Sequence, residues 1–281
     1  MTNGTLGIIA CPMLEDEMLW SLRNDKEEKH IFLADNEHKD STQSKLEFWH
    51  MPYKLIPEDD LMNGNFPKEG YTVAILMNDL ALHAEPKDLM KKIEDQVTQM
   101  SGAVDAIACY YALCGNYGWD ISAYAKENGL KPTAVFRDHT GRVCDDCVGV
   151  AVDGGENYLK LEKTYTGMFF VTPAIAHNWK AFVAAGDDAK AVLSVDKEVL
   201  ESLGITDEDS YLRWLLELGH YQNYVVMDTG LETSREQFDK DMENFEKSTY
   251  LKPIVIGDGW LSLKPAEGLY RDAKASLPTA S

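Results

Sequence analysis

Residues 106–116 read AIACYYALCGN, a run of small and apolar side chains that stops at Cys114, Gly115 and Asn116. An apolar run of this length, bounded by a glycine, is typical of a strand buried on both faces of a parallel sheet. Residues 6–12, LGIIACP, have the same form and stop at Cys11 and Pro12. Both runs therefore place a cysteine at the end of a predicted strand.

Similar short runs recur along the chain, and helical patterns lie between them. We predict further strands over residues 46–51, 71–77, 133–136, 168–171, 224–227 and 253–256. We predict helices over 87–100, 211–218 and 236–247; in the first of these Leu89, Ile93 and Val97 recur four apart on one face. Strands that alternate with helices predict an α/β fold with a mainly parallel sheet and helices on both faces.

The organisation of the chain follows from its length and local composition. A chain of 281 residues can bury a large core, and we predict a single globular unit over 1–281. The pattern also allows two Rossmann-like subdomains, 1–130 and 131–270. The stretch 23–45 is rich in charge and is predicted to be a mobile excursion, and 271–281 is predicted to be a flexible tail.

The charge balance is strongly acidic, with 27 basic and 47 acidic residues and a net charge of −20. Such a surface repels phosphates and anionic lipid, so we exclude nucleic acid and membranes as partners. It keeps a protein soluble, and it can also steer a cationic substrate or a basic partner. The N-terminus has no basic segment followed by an apolar one, which predicts a cytoplasmic protein.

The chain has five cysteines, at positions 11, 109, 114, 144 and 147. An odd number without an export signal argues against a disulfide framework and favours metal or redox chemistry. Cys144 and Cys147 have the spacing of a metal half-site, of a thioredoxin-like redox pair, or of two thiols that only pack. The two aspartates between them oppose the lowered thiol pKa that a redox pair needs. Cys109 lies inside an apolar run and is predicted to be in the core.

Ligands of α/β proteins bind beyond the carboxyl ends of the strands. Cys11, Cys114 and Cys147 all follow predicted strands, so we predict that they bind one metal, with Cys144 as the alternative to Cys147. A zinc ion with an open fourth position fits three thiolates, and an iron–sulfur cluster with one uncapped iron is the alternative. An open zinc can bind and deprotonate a substrate thiol, which then becomes a nucleophile for methyl transfer.

Other polar residues near these turns could take part in chemistry. Asp146 and Arg142 are predicted to position a substrate, and Asp228 in VVMDTG is a candidate base, although aspartates in such turns commonly cap helices. Candidates for a fourth ligand are histidines that are otherwise interpreted as surface residues: His139, His50 and His177. The fingerprints of dinucleotide-binding proteins, serine hydrolases and zinc proteases are absent from the sequence.

The cysteine segments, taken in order, resemble a prokaryotic family known as domain of unknown function 1638. The resemblance rests on IIACPMLEDE at 8–17, ALCGN at 112–116, the segment from Arg142 to Cys147, Tyr158, FFVTPAIAHNW at 169–179 and VVMDTG at 225–230. It extends from about residue 6 to about residue 262. The loop that carries the extra Cys144 is longer here than in the family pattern, and the pair Asp146–Cys147 matches it.

This resemblance implies a link to corrinoid-dependent methyltransferase systems of anaerobes, beside which such proteins occur. It leads us to expect an enzyme, or an enzyme component, of one-carbon metabolism. The alternative is a non-catalytic metallochaperone or accessory partner of a corrinoid methyltransferase that docks through its acidic surface. A third interpretation is a globular domain whose cysteines only pack. The expected partner is a small-molecule substrate or a corrinoid methyltransferase protein, and a homo-oligomer is compatible with the sequence.

Overall fold

The larger part of the chain forms a six-stranded parallel sheet. A computed structural model describes residues 2–184 and 196–279. The strands lie in the order β3–β2–β4–β1–β5–β6. Their bounds are β1 (Gly4–Ala10), β2 (His30–Asp35), β3 (Tyr53–Pro57), β4 (Tyr71–Met77), β5 (Ala106–Tyr110) and β6 (Thr133–Val135). The predicted α/β class is confirmed, because every pairing in this sheet is parallel.

Helices cover both faces of this sheet. The helices of the described chain, not all of which pack on this sheet, are α1 (Glu15–Asn24), α2 (Asp40–Phe48), α3 (Glu58–Asn63), α4 (Pro86–Met100), α5 (Ile121–Glu127), α6 (Cys147–Ala151), α7 (Gly155–Thr164), α8 (Pro173–Ala184), α9 (Lys197–Ser202), α10 (Glu208–Leu218), α11 (Arg235–Thr249) and α12 (Lys264–Ala275). Short 3-10 turns lie at Pro12–Leu14 and Leu80–Ala84.

The alternation of side chains along β1 divides the core into two layers. Leu6 and Ile8 pack in the layer that contains residues of α1 and α12, whereas Ile9 packs in the layer that contains residues of α4. Successive side chains of a strand point to opposite faces, so each buried strand supplies both layers. Cys109 in β5 is fully buried, as its position inside an apolar run predicts.

A smaller parallel sheet follows in the chain, in the order β7–β8–β9. Its strands are β7 (Phe169–Val171), β8 (Asn223–Val226) and β9 (Lys252–Val255). Val171, Tyr224 and Val225 belong to the same hydrophobic cluster as Ile9, so the second sheet shares a core with one face of the first. The chain leaves the larger sheet only after β6, beyond the subdivision at 130/131 that the sequence allowed.

Two local predictions are wrong. Residues 46–51 do not form a strand: α2 continues to Phe48, and Thr42 and Leu46, four apart, bury one face of that helix. The charged stretch 23–45 is not a mobile excursion, because it contains β2. The segment Ile31–Ala34 is buried between exposed ends at His30 and Asp35, so a short inner strand was hidden by its charged flanks.

The last helix returns to the larger sheet and packs against α1, β5 and β6. It runs to Ala275, Leu277 after it is buried, and Thr279 pairs with Thr2 in an isolated antiparallel bridge. Residues 271–279 thus contact the body of the protein where the sequence predicted a flexible tail. Within the described part of the chain, no helix combines the length and apolar character that crossing a membrane requires.

Candidate functional site

Cys11 directly follows β1 and sits at the start of a short turn. Its backbone N–H donates to the carbonyl of Tyr110 (3.2 Å), which ties the end of β1 to the end of β5. Its thiol accepts a hydrogen bond from the backbone N–H of Met13 (3.4 Å). Burial and the nearby thiol of Cys114 raise the pKa of Cys11 well above its ordinary value. The turn therefore fixes a neutral, buried thiol at a strand end.

Cys114 lies beyond β5 in a backbone conformation that is uncommon for any residue except glycine. Its φ is 47°, in the left-handed region, and the φ of Gly115 is 87°. Its N–H donates to the carbonyl of Asp145 (2.8 Å), and the N–H of Leu113 donates to the carbonyl of Cys144 (2.9 Å). These two bonds hold the segment around Cys114 against the segment that carries Cys147.

Cys147 is the first residue of α6, and the residue before it caps that helix. One carboxylate oxygen of Asp146 accepts a hydrogen bond from the N–H of Gly149 (2.8 Å). The other accepts a hydrogen bond from the hydroxyl of Tyr158 (3.1 Å). The cap fixes the start of the helix, and the tyrosine fixes the cap. In the structure, Asp146 therefore acts on Cys147: by capping the helix it orients the residue that carries the thiol.

The three predicted thiols line one cavity, together with a histidine that the sequence analysis missed. The cavity has a volume of about 790 Å³ and is bordered by Cys11, Cys114, Cys147 and His83. The imidazole Nε2 of His83 lies 3.1 Å from the sulfur of Cys11. His83 also stacks on Tyr111, with ring centroids 6.0 Å apart and planes 16° apart. Burial lowers the pKa of His83 to about 4, so the imidazole is neutral and can donate a lone pair.

His83 follows β4 by six residues, within the turn Leu80–Ala84. The rule that placed the cysteines, that polar side chains after parallel strands share one rim, applies to it as well. A lone histidine in a turn has no periodicity, and a longer connection separates it from its strand. This is why sequence reasoning considered other histidines and passed over this one.

All three thiols are protonated in the metal-free protein. Burial is the main cause in each case: it raises the pKa of Cys114 to about 12 and the pKa of Cys147 well above its ordinary value. A redox pair or a free nucleophile needs the opposite shift. A bound metal cation supplies the missing positive charge and displaces the thiol protons. The raised pKa values therefore oppose thiol redox chemistry, and a metal ion could bind here only by displacing the thiol protons.

The donor atoms that line the cavity are of the types that zinc binds, but their present positions do not surround a metal ion. Three sulfurs and one imidazole nitrogen are a common zinc ligand set. Across residues 2–184 and 196–279, no three His, Cys, Asp or Glu side chains are arranged as they would be around a metal ion. Binding of one ion through these residues would therefore need the donors to move closer together than they lie in this structure.

The rest of the cavity lining is aromatic and acidic. Its rings come from α7, β7 and the segments beside them: Tyr158, Tyr165, Phe169, Phe170 and Tyr221. Its carboxylates are those of Asp145, Asp146 and Glu162. The cavity therefore lies between the strand ends of the larger sheet and the segments that lead into the smaller one.

Several predicted site residues do not line this cavity. Cys144 is fully buried in the other hydrophobic cluster, so the geometry favours Cys147 as the third ligand. Arg142 is exposed on a turn, and Asp228 forms an ion pair with Arg235 (2.6 Å) near the end of β8. The other predicted histidines, His50, His139 and His177, are also absent from the lining. The hydrogen bonds of His139 go to Asp153, and those of His177 to Asp241.

The fold and this cavity define an α/β protein with a thiol–imidazole cluster at the carboxyl ends of a parallel sheet. The chain belongs to the family described as protein of unknown function (DUF1638), whose model matches residues 77–263. His83, Cys114 and Cys147 lie within the matched residues, and Cys11 lies before them. Searches of curated proteins and of solved structures give no significant match.

Proposed function

We propose that this protein is a cytoplasmic metalloprotein that binds a zinc ion through Cys11, Cys114 and Cys147, with His83 as the fourth donor. One observation carries the proposal: side chains from four separate segments border the same cavity, and one thiol contacts a neutral imidazole at 3.1 Å. We further propose that it is an enzyme or enzyme component of methyl transfer in the one-carbon metabolism of anaerobes. That part rests on the family resemblance and its link to corrinoid-dependent systems.

The imidazole favours zinc over an iron–sulfur cluster. Clusters are held mainly by cysteine thiolates, whereas zinc accepts sulfur and nitrogen donors together. With His83 as the fourth donor the protein would fill the coordination shell, so a substrate thiol would have to displace His83 to reach the metal; the zinc would then supply charge that keeps the bound thiolate nucleophilic. The cavity leaves room beside the donors for such a substrate.

Other contacts in the chain would support metal binding at this site. His83 contacts the Cys11 sulfur at 3.1 Å; as a neutral imidazole it would act as a donor to the metal, while the proton that the Cys11 thiol must lose would leave to solvent. Asp146, held by Tyr158 and by the N–H of Gly149, keeps Cys147 at the start of its helix. The backbone bonds between residues 113–114 and 144–145 set the spacing between two of the thiols.

The test is quantitation of zinc, iron and sulfide in protein purified without oxygen. We expect about one zinc per chain and no sulfide, and we expect Cys114→Ser and Cys147→Ser to weaken zinc binding at least tenfold. Cys144→Ala is the matched control, because this cysteine lies in the same loop but outside the cavity. A coloured protein with stoichiometric iron and sulfide would show that the site holds an iron–sulfur cluster instead of zinc. Purified protein that contains no zinc and binds none when zinc is added, or cavity variants that bind zinc as tightly as Cys144→Ala, would refute the site.

A further inference from the structure

The aromatic and acidic side chains that line the cavity beside the thiols indicate what the site receives. We propose that it binds a small organic cation whose charged atom carries alkyl groups, such as a quaternary ammonium or a sulfonium. The inference rests on the proposed function in one respect only: it names the substrate class of the same cavity.

Aromatic side chains form much of the cavity lining beside the thiols. Tyr158 meets Phe170 edge to face, with centroids 6.2 Å apart, and Phe169 meets Tyr221 in the same way at 6.0 Å. All four are only partly buried, so ring surface remains open to the cavity. Tyr117 stands fully exposed at the border of the same cavity. Ring faces attract cations, and they do so most strongly where water is excluded.

The charge of the lining has one sign. Three carboxylates border the cavity, on Asp145, Asp146 and Glu162, and its lining includes no lysine or arginine. Within the described ranges, none of these carboxylates has an ion-pair partner within 4.0 Å. The hydrogen bonds to the Asp146 side chain come from neutral donors, a backbone N–H and a tyrosine hydroxyl. The cavity therefore carries negative charge that no side chain of its own lining neutralises.

The rings and the carboxylates together indicate which class of ligand the cavity would bind. An anion would meet the carboxylates, and a neutral apolar molecule would gain nothing from them. A strongly hydrated metal ion or primary ammonium would lose its water against the rings. An alkylated cation has low hydration and an apolar surface, so it gains from both features. A volume of about 790 Å³ is ample for such a ligand beside the thiols. The net charge of −20 would also draw cations toward the protein.

The experiment compares choline with 3,3-dimethylbutan-1-ol, which has the same shape and no charge. Titration calorimetry on the full chain, with and without zinc and at constant ionic strength, measures both. We expect choline to bind at least tenfold more tightly than the neutral alcohol. We expect Tyr158→Leu and Phe169→Leu to weaken choline binding at least fivefold, while Phe169→Tyr should retain the wild-type affinity. Phe48→Leu, an exposed aromatic outside this cavity, is the control.

Equal binding of the two probes, or no choline binding up to about 50 mM by a folded protein, would overturn the inference. Since zinc content is measured separately, the two proposals fail separately. Choline binding that survives in Cys114→Ser without zinc supports the cation site even if the metal proposal falls. Zinc binding with no preference for choline refutes the cation site and leaves the metal site in place.

Discussion

At the scale of single residues, three thiols and one imidazole reach the same cavity from four separate segments of the chain. Cys11 and Cys114 were found because each follows an apolar run, and strand ends in parallel sheets share an edge. The family resemblance favoured Cys147 over Cys144, and the burial of Cys144 in the other cluster supports that choice. His83 is specified by a tertiary contact with Cys11, for which a local pattern holds no information.

His83→Gln tests the contribution of that contact to metal binding. Glutamine keeps a polar side chain but removes the imidazole nitrogen beside the Cys11 sulfur. We expect zinc affinity to fall at least tenfold, as measured by competition with a chromophoric chelator. His139→Gln is the control, because that histidine does not line the cavity. An unchanged affinity in His83→Gln would restrict the zinc ligands to the cysteines.

Glu17, in the first turn of α1, makes stability depend on pH. Burial and the nearby Asp16 raise the pKa of Glu17 to about 8, and one of its carboxylate oxygens has no hydrogen-bond partner among the described residues. In the unfolded chain this carboxyl titrates near its ordinary value of about 4.3. The folded state thus binds the extra proton between these two values, so this contribution to stability is full below about pH 4 and is lost as pH rises through 8.

We therefore expect Glu17→Gln to be more stable than wild type at pH 9. The difference should approach a few kcal/mol, since a tenfold change in proton affinity corresponds to about 1.4 kcal/mol. Urea unfolding of the metal-free protein at several pH values measures it. Glu28→Gln, at an exposed position, is the control. A variant that loses stability with rising pH as steeply as wild type would assign the dependence to other groups.

At the scale of elements, strands that are apolar on both faces were easier to predict than a short strand with polar neighbours. The runs that became β1, β4 and β5 are apolar on both faces, so their signal is strong. β2 shows only four buried residues between charged neighbours, and the helical spacing of Thr42 and Leu46 is easily confused with an apolar run. Sequence patterns alone did not distinguish a short buried strand from the buried face of a helix. That distinction depends on which other elements pack against the segment.

The junction between α6 and α7 offers a test at this scale. Gly154 has a φ of 96°, and a Cβ there would lie 2.1 Å from the Cβ of Asp138. Gly154→Ala must displace the 138–142 turn or α7, which carries Tyr158. We expect a loss of at least 2 kcal/mol in unfolding free energy and weaker zinc binding, because the cap on α6 depends on Tyr158. Gly167→Ala, with a φ of 70° and open space around it, should cost only about 1 kcal/mol.

At the scale of the whole molecule, the cavity joins parts of the chain that lie far apart in sequence. The α/β class was predicted correctly because alternation of strands and helices is a property of the whole chain. The division into two sheets, and the cavity that borders both of them, depend on packing between segments. A ligand held by residues 11, 83, 114 and 147 would crosslink β1, β4, β5 and α6, and so stabilise the folded state as a unit.

Zinc should therefore raise the melting temperature of the entire protein. A ligand that binds only the native state stabilises it by about 2.7 kcal/mol at one hundred times its Kd, which in a chain of this size corresponds to a rise of at least several degrees. Differential scanning calorimetry with zinc and with excess chelator measures the shift. Because the thiols border one cavity, Cys11→Ser, Cys114→Ser and Cys147→Ser should each abolish most of the rise, whereas Cys144→Ala should keep it. A rise that persists in the cavity variants would locate the stabilising zinc elsewhere, and a rise lost only in Cys144→Ala would reverse the choice between the two thiols of the C-x-x-C pair.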